Sequence, residues 1–398
     1  MKTDRLAPTV PSMVSLGSRA GQVLIAGGGP AALETALALQ RLAGDRVAIT
    51  LLAPDIELVY RPLSVAEPFG GAAPRSFSVA ALAADRGFGL RRDAVAAVDP
   101  DARLVTTVAD ATLGYDALVL AIGAEPVEAV PGAVTFRGTA DSSRVHRRLL
   151  QALQRPAPRV AFVAAPSTAW TLPIYEMALL SVGWAAERGA ALEPWVVTHE
   201  PRPLEVFGRQ ASIDVAELLE QAGVRLWTGA EAEAVEDGRL WLAMEGGLPV
   251  ELALALPRPL GRPVAGLPRD ELGFTPVDAF GRVPGAPDVY AIGDMTTRPL
   301  KQGGLATQQA DATASALAAW AGADVDPAPY HPELRAVMLT GGAPRFLHRL
   351  AGRADGRSQV SDEPPWWPPH KIAARHLSPY LAAHPELEVH RTGTEQRE

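Results

Sequence analysis

Short apolar runs alternate with helix-like stretches along most of this chain. Residues 22–26 predict a strand, 30–43 a helix and 46–52 a second strand, which together make one βαβ unit. Residues 57–70 are too irregular for a helix and too apolar for a free loop. Residues 93–106 alternate apolar and polar around Asp99-Pro100-Asp101, a hairpin signature. An apolar strand leads from Tyr115 toward Gly123; 125–158 read as a linker and an Arg-rich helix at 138–154. A second βαβ unit starts at Arg159, with strand 160–163, helix 174–189 and strand 194–198, and a further strand follows at 252–256. A last apolar strand ends in Gly293-Asp294, and an Ala-rich helix runs on toward Gly322. The expected fold is α/β, with two Rossmann-like dinucleotide-binding domains and a small C-terminal region.

The turn between the first strand and helix carries the most information. Gly27, Gly29 and Ala32 occupy the three positions of the dinucleotide fingerprint. Gly27 permits the tight turn, Gly29 lets backbone approach a pyrophosphate, and Ala32 keeps the helix near the strand. Pro30 and Ala31 open the helix, whose unpaired N–H groups and dipole suit a phosphate. The second strand usually ends in an acid that grips a ribose; here Ala53-Pro54 stand there, and Asp55 is the best substitute.

Two later segments repeat the theme. Tyr115-Asp-Ala-Leu-Val-Leu-Ala-Ile-Gly-Ala124 is an apolar strand ending at Ala121 and Gly123, and Asp288-Val-Tyr-Ala-Ile-Gly-Asp294 ends in Gly-Asp. With the fingerprint, these resemble the two-dinucleotide-domain flavoproteins of the pyridine nucleotide–disulfide oxidoreductase superfamily over residues 22–320. The stretch around Arg61-Pro62 is similar to the segment under the flavin ring in its type II NADH dehydrogenase and sulfide:quinone oxidoreductase branch. The resemblance implies FAD as cofactor. Gly293 and Asp294 would serve its ribityl chain, and Arg61 and Pro62 would flank its ring. Lys301-Gln-Gly-Gly-Leu305 resembles that branch's flavin-edge segment, which places Gly304 and Leu305 by the flavin and makes Lys301 a catalytic candidate. Gln308 or Gln309 would meet a quinone-like carbonyl. Glu176 matches the acid that follows the nucleotide turn in NADH-using relatives, a second catalytic candidate able to relay a proton if burial raises its pKa.

The implied organisation is an arm at 1–21, an FAD domain at 22–135 and 268–325, an NAD(P)-like domain at 155–267 inside it, and a C-terminal segment at 326–398. The inserted domain departs from a working pattern. Its turn, Ala164-Ala-Pro-Ser-Thr-Ala-Trp-Thr171, has lost the glycines, and its last strand runs into Pro257-Arg-Pro259. Both changes resemble the sulfide:quinone oxidoreductase branch, in which this domain is scaffold. Against that, Thr198-His-Glu-Pro-Arg202 has an Arg near the strand end, a pattern that favours NADPH. NAD(P)H therefore stays open as a donor.

Composition trims the possibilities. The chain of 398 residues has no cysteine, which excludes disulfide reduction and cysteine-based sulfide chemistry. A net charge of −8 argues against nucleic acid as a partner. The eight histidines show no metal-ligand spacing, so no metal is assigned. No apolar run reaches the ~18 residues of a membrane span, and the polar first 22 residues lack a secretory core. A disordered arm and a cytoplasmic protein are expected. Trp366-Trp367 precede a short amphipathic stretch interrupted by Pro379; they suit a pocket cap, a dimer surface or, least of all, a membrane interface. The tail beyond Glu386 reads as charged and frayed. The expected function is flavin-dependent electron transfer from a small-molecule or NAD(P)H donor to a quinone-like or other small acceptor. The alternative is a flavin-binding protein that works through partners without turnover. Oligomeric state is not legible.

Overall fold

The computed structural model describes residues 20–244, 246–350 and 358–389. Most of the expected arm lies outside the described residues, and Gly21 already belongs to the first strand. Five parallel strands form the first sheet, in the order Val289–Ala291, Ala117–Leu120, Gly21–Ala26, Val47–Leu52, Gly89–Arg91. Its strand Ala117–Leu120 is wholly apolar and buried, as a covered parallel sheet requires. The late strand Val289–Ala291 returns from far along the chain to pair beside Ala117–Leu120, which completes this unit after the second has been built.

Helices Pro30–Ala43 and Gly303–Trp320 pack along one another on one face. Alanines line that contact, including Ala36, Ala310 and Ala314, all fully buried, and small side chains let the two backbones come close. The Asp99-Pro100-Asp101 hairpin is present as Val95–Asp99 and Leu104–Thr107, extended by Thr112–Gly114.

The second sheet is also five-stranded and parallel, ordered Val134–Thr135, Leu252–Ala255, Arg159–Ala164, Glu193–Thr198, Arg225–Trp227. Helix Leu172–Ala186 packs on it; ten of its residues are buried, so it is apolar nearly all round. The chain enters and leaves this unit side by side, Glu125–Val127 pairing antiparallel with Arg258–Leu260.

Two segments differ from their sequence reading. Arg61–Phe69 forms a 3₁₀ run rather than irregular chain, with its Pro68 inside it and Gly70 closing it in the left-handed region at φ 81°. The C-terminal region is not a loose appendage. A three-stranded sheet, Glu333–Met338, Arg345–Leu350 and Gln359–Ser361, packs Leu334, Ala336 and Met338 into the core of the second unit. The following segment buries Ile372, Leu377, Leu381 and Leu387 in the core of the first. Glu388 bonds to Arg75 at 2.7 Å and the Val389 N–H donates to the Ser76 carbonyl, so the chain stays docked through Val389. The rest of the tail lies outside the described residues. No helix of the described residues is long and apolar enough to cross a membrane.

Candidate functional site

The glycine turn has the shape its sequence requires. Gly27 adopts φ 132°, its N–H donates to the Leu52 carbonyl at 2.8 Å, and a Cβ there would stand 2.4 Å from the Ala121 carbonyl oxygen. Only glycine satisfies both the angle and the approach. At Gly29 a Cβ would meet nothing within 4 Å, so this side of the turn is open. Pro30 begins the helix, Ala31 and Ala32 are buried behind it, and no side chain caps the helix N-terminus. Open backbone N–H groups at a bare N-terminus suit an anion. Asp55 is exposed just past the second strand, and its carbonyl oxygen lies 3.2 Å from where a Gly28 Cβ would be.

The Gly-Asp turn closes on this cradle. Gly293 takes φ 72° and packs beside Ala31 and Ala306. The Gly293 N–H donates to Gln309 Oε1 at 2.9 Å, and Thr296 Oγ1 donates to the Gly293 carbonyl at 2.9 Å. Gly123, at φ 71°, also has open space where a Cβ would point. The parallel pairing of Gly21–Ala26, Ala117–Leu120 and Val289–Ala291 thus brings Gly27, Gly123 and Gly293 to the same end of one sheet. An open glycine turn, a bare helix end and a carboxylate opposite them fit FAD. Asp294 would take its ribityl hydroxyls, and Gly27, Gly29 and the helix start its pyrophosphate.

A cavity of about 330 Å³ lies between the two units. Arg61, Pro62, Asp294, Lys301 and Gly303 wall it on the first unit's side; Trp170, Leu172, Pro173, Leu256 and Pro257 wall it on the other. Burial raises the Asp294 carboxyl, and Lys301 and Arg61 pull it back down. Burial lowers Lys301 to about 8 against the attraction of Asp294 and Asp270. Its Nζ donates to the Thr296 carbonyl and lies 4.0 Å from the centre of the Phe274 ring. Gly304 has Gln302 Oε1 only 3.0 Å from where its Cβ would be. Leu305 turns its side chain into the core and gives its N–H to Gln302 Oε1, so it offers neither to the cavity.

At the floor lies a pair that the sequence half reveals. Glu176 is 1% exposed, and its Oε1 accepts from Lys371 Nζ at 2.5 Å and from the Leu339 N–H at 2.8 Å. Lys371 Nζ also donates to the Pro62 carbonyl at 3.0 Å. Burial raises the Glu176 carboxyl; the Lys371 ammonium and the Leu339 N–H counter it. One ammonium therefore ties together the 3₁₀ run, the second unit's helix and the C-terminal segment. The sequence reading found Glu176 and passed over Lys371. The available signal was scarcity, since the chain has only three lysines.

Other expectations need correction. Gln308 makes two 2.8 Å bonds to the Glu333 backbone and Gln309 holds Gly293, so neither is free for a quinone carbonyl. Trp366 donates to the His370 carbonyl and meets Phe346 edge-on at 5.6 Å, while Trp367 is 86% exposed; neither lines the cavity. The C-terminal residues that do line the cavity are Lys371 and Ile372, with Tyr60 Oη accepting the Ile372 N–H at 2.6 Å.

The turn of the second unit carries side chains in place of glycines, and its Thr168, Ala169 and Trp170 line the cavity. The Thr168 N–H donates to the Ala165 carbonyl at 2.8 Å, and Trp170 meets Phe207 edge-on at 5.9 Å. An acid does stand two residues past the strand: Glu200. It is turned inward, accepting from Tyr175 Oη at 2.6 Å and lying 3.4 Å from Thr198 Oγ1. Its burial and the neighbouring charge push the Tyr175 hydroxyl well up. Arg202 is paired with Glu205. Glu200 is spent inside the unit, and Arg202 lies half-exposed in its pair with Glu205.

Comparison with known proteins agrees with this architecture. The family model described as pyridine nucleotide-disulphide oxidoreductase matches residues 21–313. The curated NADH dehydrogenase-like proteins MT1860 and Rv1812c of Mycobacterium tuberculosis are each 32% identical over 219 residues, 50% of this chain and 53% of theirs. The chain thus matches about half the length of these relatives. Among solved structures, the sulfide:quinone oxidoreductase of Aquifex aeolicus superposes with a TM-score of 0.78 at 18% identity, over 92% of this chain and 91% of that one. NDH2 from Plasmodium falciparum gives 0.65 at 12% identity over 94% and 95%. The chain belongs to the pyridine nucleotide-disulphide oxidoreductase family, whose members are FAD-dependent oxidoreductases.

Proposed function

We propose that this chain uses FAD to pass electrons from a small organic donor, with NAD(P)H as the second reading, to a quinone-like or other small acceptor. FAD supplies the two-electron chemistry when bound, and the protein supplies binding, field and protons. Gly27, Gly29 and the Pro30–Ala32 helix start hold the pyrophosphate, Asp294 the ribityl chain, and Arg61, Pro62 and Gly304 border the ring. Lys301 adds positive field at that border, and its charge falls away above about pH 8.

The observation that carries the reading is the buried Glu176–Lys371 pair on the floor of the cavity that Asp294 and Lys301 also line. A buried ion pair is a poor stability device, because desolvation offsets its attraction. As a proton-handling pair beside a redox cofactor it has a purpose. Lys371 Nζ holds a proton next to the cavity, and Glu176 Oε1 keeps it there and receives a replacement. The preference for another donor over nicotinamide rests on the glycine-free turn at 164–171 and the inward Glu200.

An anaerobic titration of the purified yellow protein tests this. NADPH and then NADH leave the flavin absorbance unchanged, dithionite bleaches it, and a quinone restores it. Rapid bleaching by either nucleotide supports the second reading, an NAD(P)H donor, which the NADH dehydrogenase-like relatives and the intact second parallel sheet favour.

A further inference from the structure

We propose that Glu34, Asp311 and His376 form a binding site for one divalent transition-metal ion, outside the flavin cavity. One oxygen of each carboxylate and one imidazole nitrogen all lie within 4.8 Å of one another. The three residues come from three separate pieces of chain: the cradle helix Pro30–Ala43, the helix Gly303–Trp320 and the C-terminal segment. That is why the histidine spacing in the sequence carries no sign of it.

The three groups are short of partners. Glu34 is fully buried, and its oxygens accept one backbone N–H each, from His376 at 2.8 Å and Leu377 at 2.6 Å. A carboxylate has about four acceptor positions, so lone pairs remain. Asp311 Oδ1 is buried without a hydrogen bond. The His376 side chain is 11% exposed and its ring makes no hydrogen bond among the described residues, with Nε2 3.8 Å from Asp311 Oδ1. The Glu34 and Asp311 carboxyls face each other within hydrogen-bond reach, and two such groups brought together call for a shared proton or a cation. Imidazole with carboxylates suits zinc, manganese or iron. Donors about 2.1 Å from one tetrahedral ion lie about 3.4 Å apart, so the widest pair has to close by about 1.4 Å when an ion binds.

An open cavity of about 430 Å³ gives access, with Asp311 and His376 in its wall. Arg41 and Arg375 line it too and weaken the attraction for a cation, so the dianionic carboxylate pair has to outweigh them. A bound ion would pin both long helices to the C-terminal segment, and through the cradle helix would stiffen the FAD site.

Calorimetric titration of untagged, FAD-loaded protein, stripped with EDTA, is the test, with ZnCl₂ as the probe. One Zn²⁺ binds per chain. Asp311→Asn, nearly isosteric, and His376→Ala each weaken binding at least about tenfold. His331→Ala, in the same cavity wall, leaves it unchanged. Absence of binding, binding that survives both substitutions, or binding lost with His331 each overturns the site. None of these readouts depends on which electron donor the protein uses.

Discussion

Lys371→Met removes one charge from a pair that the fold has taken out of water. The Lys371 and Glu176 side chains are 7% and 1% exposed, and their contact is 2.5 Å. Removing one partner of such a pair costs about 3–5 kcal/mol, because the other charge is left buried and uncompensated. Glu176 can escape part of that cost by taking a proton. Burial already raises its carboxyl, and the ammonium that held it down is gone, so in the variant it rises further. The sign follows from linkage. A carboxyl raised in the folded state contributes stability that is fully present below its unfolded pKa of about 4.3 and lost as pH rises through the folded value.

Lys371→Met therefore stands within about 1 kcal/mol of the parent at pH 5, the residue being the lost hydrogen bond to the Pro62 carbonyl. At pH 8 the gap opens to about 3 kcal/mol or more. Urea unfolding at the two pH values, followed by tryptophan fluorescence, measures both gaps. Adding Glu176→Gln to Lys371→Met recovers about 2 kcal/mol at pH 8, since no bare carboxylate remains to be buried. An equal loss at pH 5 and pH 8, or a loss below about 1 kcal/mol at pH 8, refutes the reasoning.

Asp294→Ala purifies with little or no flavin, as read from the flavin absorbance per chain, while far-ultraviolet circular dichroism stays close to the parent's. Gly27→Ala sets a methyl group 2.4 Å from the Ala121 carbonyl at a φ of 132°, and the same absorbance measurement shows FAD lost, with soluble yield reduced as well. Lys301→Met lowers the flavin midpoint potential at pH 7 by removing a cation from the cavity wall. It also abolishes the change of slope with pH that the parent shows near pH 8, where burial places this lysine.

What could be read from the sequence is what short stretches of backbone encode. The cradle at Gly27–Ala32 is specified by consecutive residues, because the turn, the close approach and the helix start all occur within six positions. The Gly293-Asp294 turn is local in the same way, and the strand pairing that brings it to Ala31 follows from two apolar runs. Lys371 is different. It sits in a Pro-rich stretch with no period of its own, and only the docking of Ile372, Leu377 and Leu381 on the first core fixes where its ammonium goes. The resemblance of Lys301-Gln-Gly-Gly to a flavin-edge segment singles out Lys301 in the sequence; the fold makes Lys371 the partner of Glu176.

The two glutamines show the converse. Adjacent Gln308 and Gln309 look like ligand-binding amides, yet both are spent on backbone, one holding a strand and one holding the Gly-Asp turn. Glu200 repeats the lesson in the second unit, where an acid two residues past the strand faces Tyr175 instead of the solvent side. A polar residue near a nucleotide turn is evidence of binding only when its hydrogen-bonding capacity is unspent, and that depends on packing between elements far apart in the chain. By this criterion the first unit keeps its groups available, at Gly29 and Asp294, and the second has used its own internally. That asymmetry is the physical reason for assigning the dinucleotide to the first unit and seeking a different kind of donor at the second.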